Sequence, residues 1–96
     1  MDKIVFITGA SSGIGAGCAR KFASQGASLI LNARNVNKLS ALKEELEKQY
    51  GAKIYLLPFD VRDRKAATSA LESLPKEWQS IDILVNNAGL VIGTDK

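Results

Sequence analysis

An α/β fold with a doubly wound parallel sheet is predicted by three features of this chain. Four short apolar runs alternate with three segments of helical period, each run is nearly continuous, and a glycine-rich turn follows the first run directly. Continuous apolar runs suit strands covered on both faces, the usual condition of a parallel sheet. Parallel neighbours need crossover connections, and right-handed crossovers in a βαβαβαβ chain give the strand order 3-2-1-4. The 96 residues read as one domain, residues 1–96, with no internal repeat, low-complexity stretch or linker.

Each element has its own signal. The first strand is Ile4-Val5-Phe6-Ile7. The first helix is expected from Gly13 to Gln25, stopped by Gly26, with Ile14, Cys18, Phe22 and neighbouring alanines buried. Leu29-Ile30-Leu31 forms the second strand. The second helix fits Val36 to Tyr50, with Leu39, Leu42 and Leu46 inward, Lys43, Glu44, Glu47 and Lys48 towards water, and Gly51 at its end. Ile54-Tyr55-Leu56-Leu57 is the third strand. The third helix starts after Asp60 or Val61, with Asp60 read as its N-cap, and carries Ala66, Ala67, Ala70, Leu71 and Leu74. Pro75 closes it, Trp78 packs in the connection, and the fourth strand runs from Ile81 to Val85, interrupted only by Asp82.

Composition excludes several classes. A 46% share of hydrophobic residues and a formal charge of +3 fit a globular chain with a core. Its basic residues are scattered among acids such as Glu44, Glu45 and Glu47, so they read as a solvated face and not a nucleic-acid surface. No apolar run is long enough to span a bilayer, so no membrane contact is expected. Residues 1–8 read as a strand and not a signal peptide, since Asp2 and Lys3 lead straight into Ile4 with no cleavage region behind. One cysteine allows no internal disulfide, which fits the cytoplasm. At helical spacing between Ile14 and Phe22, Cys18 reads as a small core residue and not a nucleophile. With no histidine, a histidine triad or histidine metal site is excluded within this chain, and no metal site is expected.

The chemistry-bearing residues fall at strand ends. Thr8-Gly9-Ala10-Ser11-Ser12-Gly13-Ile14-Gly15 joins a strand to a helix start. Unpaired N–H groups and partial positive charge there attract phosphate oxygens, and glycine lets the backbone turn tightly or lets a phosphate approach. The second strand ends Leu31-Asn32-Ala33-Arg34-Asn35. In a nucleotide-binding unit an acid here bonds the ribose hydroxyls, whereas an arginine accommodates a 2′-phosphate. Arg34 can grip a phosphate with two parallel bonds, so NADP is expected, with NAD as the alternative. The bland alternative is an exposed arginine on the approach to a helix. Asp60-Val61 follows the third strand, and Asn86-Asn87-Ala88-Gly89, which alone would read as a turn, follows the fourth.

In that order, after four successive strands, these motifs resemble the short-chain dehydrogenase/reductase family over essentially all 96 residues. The resemblance implies the N-terminal half of a Rossmann-type domain and assigns cofactor-binding roles to Gly9, Ser11, Ser12, Gly13, Ile14 and Gly15. It also implies that Ala33 stands where an NAD-preferring relative carries Asp, and that Asn35 departs from relatives with a second basic residue nearby. Asp60 would bond the adenine amino group, with backbone contacts from Val61. Asn86 would tie neighbouring strands together, and Asn87, Ala88 and Gly89 would line the ribose and diphosphate. Leu74-Pro75-x-Glu77-Trp78 and the stretch Ile81 to Leu90 are most similar to bacterial NADP-dependent 3-hydroxy acid and serine dehydrogenases.

Hydride transfer to a carbonyl needs a proton donor and a cation that tunes it. The family supplies them from a Tyr-x-x-x-Lys motif. Here Tyr50 precedes Gly51-Ala52-Lys53-Ile54, and Tyr55 is followed four residues later by Phe59, so neither fits. No catalytic residue is assigned. The chain is expected to be a truncated, adenosine-binding and inactive part of a parent oxidoreductase, with the catalytic half absent. That parent would act on a small-molecule alcohol or carbonyl and form a homo-oligomer. The alternative is a stand-alone nucleotide-binding or assembly module without catalysis.

Overall fold

A computed structural model describes residues 2–87. The chain runs β1 (Ile4–Thr8), α1 (Gly13–Ser24), β2 (Ser28–Ala33), α2 (Val36–Tyr50), β3 (Ile54–Pro58), α3 (Arg64–Glu72), a 3-10 turn (Lys76–Trp78) and β4 (Ile83–Asn86). All neighbouring strands are parallel, in the order β3-β2-β1-β4, as the crossover argument requires. Parallel pairing puts Thr8 opposite Asn86 and Ala33 opposite Pro58, so the loops after all four strands open at one edge of the sheet.

Alternating side chains divide the core between the two faces of the sheet. Val5, Ile7, Leu29 and Leu31 pack with Ala19 and Ala23 of α1 and with Leu39, Leu42 and Leu46 of α2. Phe6, Ile30 and Leu57 pack on the opposite face with Ala67, Leu74 and Trp78. Each fully buried leucine in the first layer contributes about 1.5–3 kcal/mol relative to an exposed one. Trp78 closes the second layer, with its ring centroid 5.6 Å from that of Tyr55 and Lys53 Nζ 5.4 Å from its own.

The α2 reading is met at both ends. Asn35 Oδ1 accepts from the Lys38 amide at 3.1 Å, and Gly51 ends the helix at a φ of 64°. Elsewhere the structure corrects the expectations. Ile14 does not join the buried stripe of α1 but is 74% exposed. Gly15, Ala19 and Ala23 take the inward positions, while Cys18 and Phe22 are only partly buried. The stripe is set one residue further on because Gly15, which has no side chain, sits against the backbone of the preceding turn. A Cβ there would lie 2.1 Å from the Gly9 carbonyl oxygen.

Asp60 is not the cap of the third helix. Asp63 is, its Oδ1 accepting from the Ala66 amide at 3.1 Å, so α3 starts at Arg64. The helix stops at Glu72, before Pro75, which instead precedes the 3-10 turn. β4 begins at Ile83 and not at Ile81, although Asp82 is already anchored: its amide donates to the Ile4 carbonyl, and its Oδ2 accepts from the Ile4 amide, both at 2.9 Å. Coverage of the sheet is also less even than the apolar runs predict. β4 lies at its edge, and Leu84 is 44% exposed. Among the described residues no helix is long and apolar enough to cross a membrane.

Candidate nucleotide site

The site grows from the turn after β1. Gly9 has a φ of 62°, which a side chain would disfavour, and this lets the chain leave the strand and re-enter as a helix. Ser12 caps that helix: its Oγ accepts from the Gly15 amide at 3.0 Å and donates to the Gly9 carbonyl at 2.9 Å. Asn87 Nδ2 donates to the same two groups, Ser12 Oγ at 2.9 Å and the Gly9 carbonyl at 3.2 Å, so the end of β4 is tied to the glycine turn. Beneath it the Thr8 hydroxyl donates to Asn86 Oδ1 at 3.2 Å, linking the ends of β1 and β4.

Asn32 ties the other side. It is 1% exposed, and its amide nitrogen donates to the carbonyls of Leu57 at 3.0 Å and Phe59 at 3.1 Å. Its Oδ1 accepts from the Gly9 amide at 3.4 Å, and its own carbonyl accepts from the Ala10 amide at 2.7 Å. One buried side chain thus holds the glycine turn, the end of β2 and the end of β3 in register. The sequence reading passed over it; the available signal was an amide at the end of the run Leu29-Ile30-Leu31.

Between these strand ends lies a cavity of about 420 Å³. Of the expected site residues, Gly9, Ser11, Ser12, Arg34, Asp60 and Val61 line it. Gly13, Ile14 and Gly15 form the first turn of α1 beside it, and a Cβ on Gly13 would meet nothing within 4 Å. Ala88 and Gly89 lie outside the described residues. Two lining cations were not anticipated, Lys38 and Arg62. Lys38 lines the cavity from the first turn of α2, where its amide is bonded by the Asn35 cap.

Asp60 and Arg62 form the strongest charge pair in the site. Asp60 Oδ1 accepts from the Arg62 amide at 2.9 Å and Nε at 3.1 Å, while Oδ2 accepts from Nη2 at 2.9 Å. The Arg62 side-chain bonds, and next its backbone bond, hold the Asp60 carboxyl down at about 2, and Asp60 raises Arg62 in turn. Arg34 Nη1 stands further off, 3.9 Å from Asp60 Oδ2. A helix start, a close-approach glycine turn and a cavity with three cations to one acid together suit a phosphorylated anion.

A family model described as short chain dehydrogenase matches residues 3–96. An NADP-dependent 3-hydroxy acid dehydrogenase of Schizosaccharomyces pombe is 46% identical over 95 residues, covering 98% of this chain and 37% of that protein. Serine dehydrogenase from Escherichia coli superposes with a TM-score of 0.81 at 46% identity, over 93% of this chain and 39% of that one. L-sorbose reductase from Gluconobacter frateurii, complexed with NADPH and L-sorbose, superposes with a TM-score of 0.85 at 38% identity, over 92% and 34% of the two chains. The chain therefore spans little more than a third of the length of these relatives.

Proposed function

The chain belongs to the short chain dehydrogenase family, and on that premise we propose that residues 1–96 are the adenosine-binding part of an NADP(H)-dependent oxidoreductase. The observation that carries this reading is the cavity at the C-terminal strand ends, where Arg34 and Lys38 face a glycine turn and a helix start. Gly9, Ser11, Ser12, Gly13, Ile14 and Gly15 would hold the diphosphate end of the cofactor. Asp60 and Val61 would meet the adenine, Asn87, Ala88 and Gly89 the ribose and diphosphate, and Arg34 the 2′-phosphate. Relatives named for NADP and a neighbour complexed with NADPH support the cofactor.

NADP(H), when bound, supplies the hydride. This chain's own residues bind and orient it, and they contain no Tyr-x-x-x-Lys pair to move a proton at a substrate oxygen. The whole enzyme would interconvert a small alcohol and a carbonyl, a 3-hydroxy acid or serine by likeness to the relatives, as a cytoplasmic homo-oligomer. The missing pair favours a second reading of the 96 residues, nucleotide binding without catalysis.

Titration of the chain with NADP and NAD, followed by a turnover assay on hydroxy acids and ketones, tests both readings. Tighter binding of NADP without turnover is expected. Failure to bind either dinucleotide overturns the cofactor assignment, and reproducible cofactor-dependent turnover by pure chain overturns the assignment of no catalytic residue.

A further inference from the structure

Arg34, Lys38, Arg62 and Asp60 line one cavity, so Asp60 faces three cations. Resting on the NADP(H) reading, this arrangement contains a contradiction. Arg34 is the group that would hold the 2′-phosphate, yet the carboxylate of Asp60 competes for it, its Oδ2 only 3.9 Å from Arg34 Nη1. A bare carboxylate at that distance would draw Arg34 onto itself and repel an incoming phosphate.

Arg62 removes the contradiction. Its Nε and Nη2 engage both Asp60 oxygens, and its amide adds a third bond to Oδ1. The two residues are joined by one tight turn, in which the Asp63 amide donates to the Asp60 carbonyl at 2.9 Å. The pair is therefore made within one turn, with Arg34 only a longer partner of Oδ2 at 3.9 Å. What remains facing the cavity is Arg34 and Lys38, a local charge of +2. A phosphomonoester carries about −1.5 to −2 at neutral pH, so the balance is complementary.

We propose that Arg62 is a specificity-determining positioning residue: by holding both Asp60 oxygens it stops this carboxylate from capturing Arg34, and so lets Arg34 and Lys38 bind a 2′-phosphomonoester. Arg62 need not touch the phosphate. Its effect is read as a ratio between two ligands that differ only in that group.

The probes are 2′,5′-ADP and ADP, titrated against the whole chain with circular dichroism as a check of folding. The unsubstituted chain is expected to prefer 2′,5′-ADP. Arg62→Ala should cut that preference about fivefold, the scale of one water-screened charge at the site. Arg62→Lys, which keeps the charge but not the paired geometry, should recover part of it. The double variant Asp60→Asn with Arg62→Ala should restore it, because the anion that Arg62 neutralises is then gone.

Equal losses for both probes in Arg62→Ala would make Arg62 a support of the turn alone and overturn the proposal. So would an unaltered preference, or a double variant that stays impaired. If Arg62→Ala fails to fold, Asp60→Asn alone decides. Its preference for 2′,5′-ADP should hold or rise, and a fall overturns the proposal. An unsubstituted chain with no preference overturns the NADP(H) reading and this proposal together, and that titration separates the two failures.

Discussion

A methyl group on Gly15 would stand 2.1 Å from the carbonyl oxygen of Gly9, so the first turn of α1 and the end of β1 touch backbone to backbone. Gly15→Ala is therefore expected to destabilise the fold by about 1–3 kcal/mol, the range for overpacking a close contact. Denaturant unfolding measures it; a midpoint equal to that of the unsubstituted chain would show that the turn relaxes freely.

Gly13 behaves differently. A Cβ there meets nothing within 4 Å, so the fold itself leaves room for a side chain at this position. Gly13→Val should leave the unfolding midpoint nearly unchanged and weaken NADP binding, since a branched side chain would hold a diphosphate away from the amides. Unaltered affinity in the folded variant would mean that the phosphate sits elsewhere.

Replacing Asn32 should be felt by the whole strand edge. Asn32→Leu takes the donor from the Leu57 and Phe59 carbonyls and the acceptor from the Gly9 amide. Each buried polar group left without a partner costs about 1–3 kcal/mol, so with three such groups a loss of at least about 3 kcal/mol is expected. Calorimetry of the variant provides the check, and a loss below 1 kcal/mol would show that water replaces the amide without penalty.

Arg34→Ala should cost about 1.5–3 kcal/mol of NADP binding, the range for hydrogen bonds to charged groups, and spare NAD. Parallel titrations with the two dinucleotides measure the difference. Equal losses would remove the 2′-phosphate from the Arg34 side of the cavity.

Acid should loosen the Asp60 turn within a narrow window. The folded carboxyl sits at about 2, below its ordinary 3.8, chiefly through the Arg62 side-chain bonds. A carboxylate depressed on folding stabilises the fold fully above its ordinary value and loses that contribution as pH falls through the folded one. The loss should therefore fall between about pH 4 and pH 2 and be absent near neutrality. Because Arg62 is exposed and Asp60 only half-buried, the effect should be small and should fade with added salt. Stability curves of the chain and of Arg62→Ala should therefore differ by a constant amount above about pH 5 and converge as pH falls towards 2; curves that superpose throughout would show that the pair contributes nothing.

Sequence alone determined the order and kind of the elements, because the signals involved are local. Leu39, Leu42 and Leu46 recur at the period of a helix, Gly51 can adopt the left-handed backbone that ends it, and short unbroken runs such as Leu29-Ile30-Leu31 suit a covered strand. The chemistry of the strand ends was legible too: Gly9, Ser11, Ser12, Arg34, Asp60 and Val61 come together in one cavity. Tertiary structure decided everything that depends on what lies across a gap. The inward face of α1 runs through Gly15 and not Ile14, because the Gly9 carbonyl occupies the space a side chain would need. Asp60 and Asp63 are equivalent as capping residues by type. Only the turn geometry gives the cap to Asp63 and turns Asp60 to Arg62. Asn32 was unremarkable as one amide at a strand end until the third strand and the glycine turn were brought to it. Periodicity and turn chemistry act within a few residues, whereas close contacts and buried polar pairing are fixed by chain segments that meet only in the fold.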